Sequence, residues 1–146
     1  MFTRFSPLDP TLHGVSMDPL LKRAHAEIIA LKRRLFASEA YWHVNAAQRQ
    51  PRWPIEFRGQ FGEDLWLWEL LSGQTQGFFI EVGAHDGYRL SVSYAFEAMG
   101  WNGLLIEANP NTVEHCRARR PHSRVVHAAL SRRGSTGSTT FHVANG

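Results

Sequence analysis

Among 146 residues there is a single cysteine, Cys116. A lone thiol makes no internal disulfide and no cysteine-based zinc site, so the fold must stand on its core alone. No apolar run approaches the roughly 18 residues that span a bilayer, which excludes an integral membrane helix. The first ten residues carry charges and prolines where a secretory signal needs an unbroken apolar stretch, and a cytoplasmic chain is the resulting expectation. His115, His122, His127 and His142 share no ligand spacing such as i, i+4 on one helix, so no metal site is expected. What the chain does contain is 43% hydrophobic and 12% aromatic residues against 20% charged, enough for a packed core and too much for a disordered chain.

The formal charge of +3 is unevenly spread. Residues 1–58 hold nine Lys/Arg against five Asp/Glu, and residues 59–146 hold seven against eight, so the basic surplus is N-terminal. Arg117, Arg119, Arg120 and Arg124 form a second basic cluster. They read as a solvated helix end and turn, or as contacts for phosphate or an acidic partner. No aromatic residues interleave with them as base-stacking platforms, so nucleic acid is not the expected partner.

Residues 1–16 form an irregular lead broken by Pro7, Pro10 and Gly14. Asp18 followed by Pro19 is a helix start, a capping side chain before a proline in the first turn. Leu21, Ala24, Ile28, Leu31 and Leu35 then recur at steps of three and four with Lys22, Arg23, Lys32 and Arg33 between them, which predicts a basic amphipathic helix ending near Tyr41 or Trp42. Its stripe either packs on its own domain or forms a self-association seam over residues 18–41. Residues 48–54, with two prolines, read as a linker. The expected division is a leader, helix and linker over 1–58 and a regular domain over 59–146.

In that second part, residues 61–71 read as a short helix and 78–82 as a strand apolar at nearly every position, expected to be buried on both faces. Residues 90–99 are helical, 104–107 a second strand, 111–119 a second helix and 124–130 a third strand. A loop over 131–140 and a further strand over 139–143 complete the reading. Strands alternating with helices at this spacing predict right-handed βαβ units and an α/β domain.

The stretch with most chemistry is Phe78-Phe79-Ile80-Glu81-Val82-Gly83-Ala84-His85-Asp86-Gly87. A strand runs into a turn bounded by two glycines, and a helix follows. Gly83 lets backbone approach a ligand, and Gly87 permits a positive φ or tight packing. Glu107, twenty residues past Gly87, ends the next strand, where a carboxylate can accept hydrogen bonds from two ribose hydroxyls. The Gly83-x-x-x-Gly87 spacing differs from the G-x-G-x-x-G of a dinucleotide turn, and Glu81 and Asp86 would repel a pyrophosphate. The same carboxylates suit a ligand carrying an ammonium and a sulfonium, such as S-adenosylmethionine.

Gln60-Phe61-Gly62-Glu63-Asp64, the segment Phe79 to Gly87, Ser91 with Ser93, Gly100-Trp101-Asn102-Gly103, Leu105-Ile106-Glu107-Ala108-Asn109-Pro110 and Ala128-Ala129-Leu130-Ser131 together resemble the FkbM family of S-adenosylmethionine-dependent methyltransferases. The resemblance covers residues 59 to about 146 and leaves 1–58 outside. It implies a Rossmann-like class I methyltransferase fold and O-methyl transfer to a hydroxyl of a sugar or natural product, with a small-molecule or glycan acceptor. Carried over by position, Glu81, Gly83, Ala84, His85, Asp86 and Gly87 line the methionine end and Glu107 holds the ribose. Ala108, Asn109 and the segment of Ala128 lie near the adenine, and Gln60 and Asp64 are cofactor-side residues. This chain has His85 and Ala108 where such families often carry Asn or Pro. No catalytic base is named by the sequence.

The class I fold normally has further strands on the other side of the first one, and acceptor-side residues come from them. The resemblance therefore implies that residues 78–82 form an exposed apolar edge, a pairing hazard that natural domains cover. The expectation is an N-terminal portion of a longer methyltransferase, or a first strand covered by helix 18–41 or by a complementing second chain. A non-catalytic binding or assembly module on a methyltransferase scaffold is the alternative. Cys116 is expected to be a small buried hydrophobe, and Trp66, Trp68 and Trp101 to be packing residues.

Overall fold

A computed structural model describes residues 18–132 together with 134, 137 and 140. The chain runs α1 (Pro19–Ala46), α2 (Glu63–Leu70), β1 (Phe78–Val82), α3 (Tyr94–Met99), β2 (Asn102–Glu107), α4 (Pro110–Arg119) and β3 (Arg124–His127). The three strands form one parallel sheet in the order β1-β2-β3. This is the mixed α/β arrangement read from the alternating pattern, and it is compatible with the start of a Rossmann-like sheet. The lead over 1–16 lies outside the described residues, as does the strand anticipated over 139–143 except for Thr140, which is not in a strand.

Asp18 caps α1 as anticipated, its Oδ1 accepting from Leu20 N at 2.7 Å with Pro19 in the first turn. The helix runs about four residues further than the apolar stripe indicated, to Ala46. Its buried side also differs. Phe36, Ala40 and Val44 enter the core, whereas Leu21, Ile28, Leu31 and Leu35 are exposed. The domain-facing contacts begin at Ile29, so the first ten residues of the helix project.

One core gathers Phe36, Ala40 and Val44 with Ile55, Phe57, Leu65, Trp68, Phe96, Met99 and Trp101. The segment 48–54 is not a free tether. Arg52 donates from Nη1 to Trp101 O at 2.7 Å and from Nη2 to Asn102 Oδ1 at 2.9 Å, and Arg49 donates to Met99 O at 3.2 Å. These bonds fasten it to the turn between α3 and β2 and draw α1 into the same core as the α/β part.

The sheet is covered on one face. Phe79, Glu81, Gly103, Leu105 and Val125 share that face by register, and Leu105 packs there with Cys116 of α4. The Phe79 ring lies over Gly103 so closely that a Cβ there would come within 2.2 Å of it. On the opposite face Phe78, Ile80 and Val82 are 64%, 63% and 54% exposed. The expectation of burial on both sides of β1 is thus corrected: an uninterrupted apolar run identifies a strand but carries no information on which face is covered. Among the described residues β1 is an edge strand. α1 packs on α2 and α3 and does not cover it.

Candidate functional site

The loops leaving the three strand ends lie side by side. Gly83 N and Ala84 N both donate to Ile106 O, at 2.8 and 3.2 Å, so the loop leaving β1 stays bonded to the end of β2. Ala128 N donates to Glu107 O at 3.0 Å, joining the β3 end to the same edge. The carboxyl ends of parallel strands are where such sheets bind ligands. Glu81, Gly83, His85, Asp86, Glu107, Ala108, Asn109 and Ala128 are brought to this edge, while Ala84 and Gly87 are buried beneath it.

Glu107 holds the edge together. Its Oε2 accepts from His85 N at 2.5 Å and its Oε1 from Asn109 N at 2.7 Å. One carboxylate thereby ties the β1 loop to the β2 loop, and each oxygen keeps an unused lone pair. Asn109 also caps α4, accepting from Asn111 N at 2.9 Å. His127 Nε2 and Ala108 O lie 3.0 Å apart.

The two glycines have different jobs. Both take a positive φ, +73° at Gly83 and +77° at Gly87. A Cβ at Gly83 would meet nothing within 4 Å, so that face of the loop is open. A Cβ at Gly87 would lie 2.8 Å from Arg120 Cγ and 3.1 Å from Cys116 Sγ, so this glycine allows the loop to close on α4. His85 also adopts a positive φ, +51°.

Asp86 faces the chain's own donors. Its Oδ1 accepts from Arg89 N at 2.8 Å and Tyr88 N at 3.0 Å, and its Oδ2 pairs with Arg119. Burial works to raise its pKa, but these bonds outweigh it and hold the carboxyl well below the usual range. Glu81 is likewise engaged, accepting from Ser91 Oγ at 2.9 Å, from Val92 N at 3.0 Å and from Ser93 Oγ. Each fastens its loop as well as charging it.

Gln60 and Asp64 lie elsewhere. Asp64 is completely buried, its Oδ2 accepting from Gly59 N at 2.7 Å and its Oδ1 from Leu65 N at 2.9 Å, and burial raises its pKa. It shapes the turn into α2, away from the strand-end edge. Gln60 is exposed, at an open basin of about 490 Å³ lined also by Arg33, Arg34 and Arg58.

Beneath the site lies a network that the sequence does not distinguish. Arg120 and Glu97 are both fully buried and paired at 2.7 Å through Nε. Arg120 also donates to Gly87 O at 3.0 Å, Ser91 Oγ at 3.1 Å and Ser93 Oγ at 2.8 Å. The four arginines read together as one solvated or ligand-facing cluster therefore divide. Arg120 is structural, Arg119 pairs with Asp86, Arg117 pairs with Glu114, and Arg124 is exposed. Cys116 is buried as expected, and burial pushes its thiol up to about 11. No metal-competent group of His, Cys, Asp or Glu occurs among the described residues. No described helix is long and apolar enough to cross a membrane.

No protein-family model matches the chain, no curated protein matches it, and no solved structure matches it.

Proposed function

We propose that this chain is the cofactor-binding portion of an S-adenosylmethionine-dependent methyltransferase that modifies a hydroxyl of a sugar or natural product. The observation that carries the reading is Glu107, an acidic residue ending the second parallel strand and bonded to the glycine-bounded loop of the first. The residues fit the group in two respects. Gly83 leaves its side of the loop open, and each Glu107 oxygen retains an acceptor site for a ribose hydroxyl. Of the three carboxylates around the loop, Asp86 pairs with Arg119 and Glu81 lies 4.0 Å from Arg120, which leaves Glu107 as the one with no cation partner among the described residues.

When bound, the cofactor supplies a methyl group activated by the adjoining sulfonium. The chain's own share is positioning. Glu107 holds the ribose, the backbone from Gly83 to His85 receives the methionine end, and Asn109 with Ala128 borders the adenine. Glu81 and Asp86 keep the loop in place through Ser91, Ser93 and Arg119, the alignment on which an in-line transfer depends.

One observation favours the alternative of a non-catalytic scaffold. Glu81, Asp86 and Glu107 each already bond to protein donors, so the edge is held together without a ligand.

Calorimetric titration of the whole chain with S-adenosylhomocysteine separates the two. Binding is expected, and Glu107→Gln, which removes the charge from the ribose contacts, is expected to weaken it by about tenfold or more. Because Glu107 also ties two loops, the variant's circular dichroism and melting curve are recorded alongside. A folded wild-type chain that takes up no S-adenosylhomocysteine overturns the methyltransferase reading and leaves the scaffold.

A further inference from the structure

The apolar stripe that α1 does not use for its own domain is a regular one. Leu21, Ile28, Leu35 and Trp42 recur every seven residues, and Ala24, Leu31 and Ser38 follow each of the first three by three. These are the a and d positions of three consecutive heptads, which the extension of α1 to Ala46 completes. The apolar members are solvent-facing: Ile28 is 54% exposed, Leu31 63%, Leu35 62% and Trp42 66%. The domain takes hold of the other side of the helix, through Ile29, Phe36, Ala40 and Val44. At 100° per residue the two stripes centre roughly 150° apart, and α2 borders the seam on its e side, where Glu69 bonds Lys32 and Trp68 bonds Glu39.

We propose that α1 pairs with α1 of a second copy of this chain as a parallel, in-register two-stranded coiled coil along the seam from Leu21 to Trp42. The flanking charges select both the partner and its direction. Glu27 and Arg34 occupy g positions, and Lys32 and Glu39 occupy e positions. In a parallel pair each g residue faces the e residue five places on in the other helix. Glu27 then meets the partner's Lys32, and Arg34 meets the partner's Glu39, each twice by symmetry. A fully overlapped antiparallel pair sets g against g and e against e: Glu27 then meets the partner's Arg34, but Lys32 meets the partner's Lys32, so only the parallel register leaves every one of these flanking charges opposite a charge of the other sign.

The side chains required are within reach of these roles. Lys32 bonds Glu69 at 2.8 Å yet remains 42% exposed, and Glu39 accepts from Trp68 Nε1 at 3.0 Å yet remains 47% exposed. Ile28 at a and Leu31 at d are the branched pattern that favours two strands. The small Ala24 and Ser38 at d limit the packed area, so the association is concentration-dependent. It is independent of the proposed cofactor site.

Sedimentation equilibrium of the full chain is expected to show a monomer–dimer equilibrium. Leu31→Glu places a carboxylate in the seam at a position exposed in the monomer, so the circular dichroism is expected to be retained while the dissociation constant rises by about 100-fold. Orientation is read with Leu21→Cys under mild oxidation. Native Cys116 is buried and stays unreactive, so a disulfide-linked dimer reports the two introduced thiols side by side, as only the parallel register allows. A chain that is monomeric at every concentration overturns the proposal. So does a dimer that survives Leu31→Glu, or one that Leu21→Cys fails to link.

Discussion

Arg120 and Glu97 are two charges without solvent contact, and what keeps them there is the completeness of their bonding. Arg120 spends its donors on Glu97, Gly87 O, Ser91 and Ser93, while Glu97 also accepts from Ser123 Oγ at 2.6 Å and His122 N at 3.2 Å. Arg120→Met leaves Glu97 charged and uncompensated, and urea unfolding is expected to show a loss of about 3–5 kcal/mol. Adding Glu97→Leu removes the stranded charge and is expected to restore a large part of it. Nothing in Arg117-Ala118-Arg119-Arg120 distinguishes the buried arginine from its neighbours, because burial of that side chain depends on Gly87 approaching α4 from a distant loop. Two aspartates at this scale carry opposite pH dependence. Asp86 has a folded pKa depressed below 3.8, so its contribution is present above that value and is lost as pH falls through it toward the folded one. Asp64 is raised above 3.8 by burial and so withdraws stability as pH climbs through the window above that value. The urea midpoint of Asp86→Asn is accordingly expected to fall less steeply than the wild type between about pH 4 and pH 2.

At the scale of elements, α1 has two apolar faces with different fates. Phe36 lies 6.4 Å from Phe57 in an edge-to-face pair inside the core. Phe36→Ala is expected to cost about 3–5 kcal/mol in urea unfolding, while Leu35→Ala, one residue away on the solvent side, is expected to change the monomer by less than about 0.5 kcal/mol. The helix itself is legible from Asp18-Pro19 and the three-four spacing, because capping and periodicity are local properties. Which of its faces meets the domain is not. The regular leucines mark the exposed seam, and the face that is buried relies on small Ala40 and on Val44 beyond the point where the stripe was read to stop. The later elements follow the sequence closely. β2 starts two residues earlier than the apolar run, at Asn102, because that residue sits at the ladder opposite Phe78. α3 is shorter than its pattern suggested, Tyr94–Met99, because Glu81 draws Ser91 to Ser93 into a hydrogen-bonded loop instead.

For the whole molecule, the parallel α/β class and the edge where the strand-end loops meet were readable from the alternation of apolar runs with Gly83, Gly87 and Glu107, whereas the alternation does not encode the strand order β1-β2-β3. Chemistry at that edge was readable only as residue types. That Glu107 grips His85 and Asn109, or that Asp86 turns toward Arg119, depends on distances that spacing does not encode. The position of Asp64 inside the turn from Gly59 is hidden for the same reason. The one-sided covering of the sheet has a thermodynamic consequence. Phe78, Ile80 and Val82 present more than half of their surface to water in the folded chain, so unfolding releases less newly hydrated apolar area than burial on both faces would have stored. The heat capacity held back from folding remains available to association. Any partner that lies across this face binds with a negative heat-capacity change that scales with the apolar area it covers, and its affinity weakens on cooling as the entropic drive to bury hydrocarbon fades.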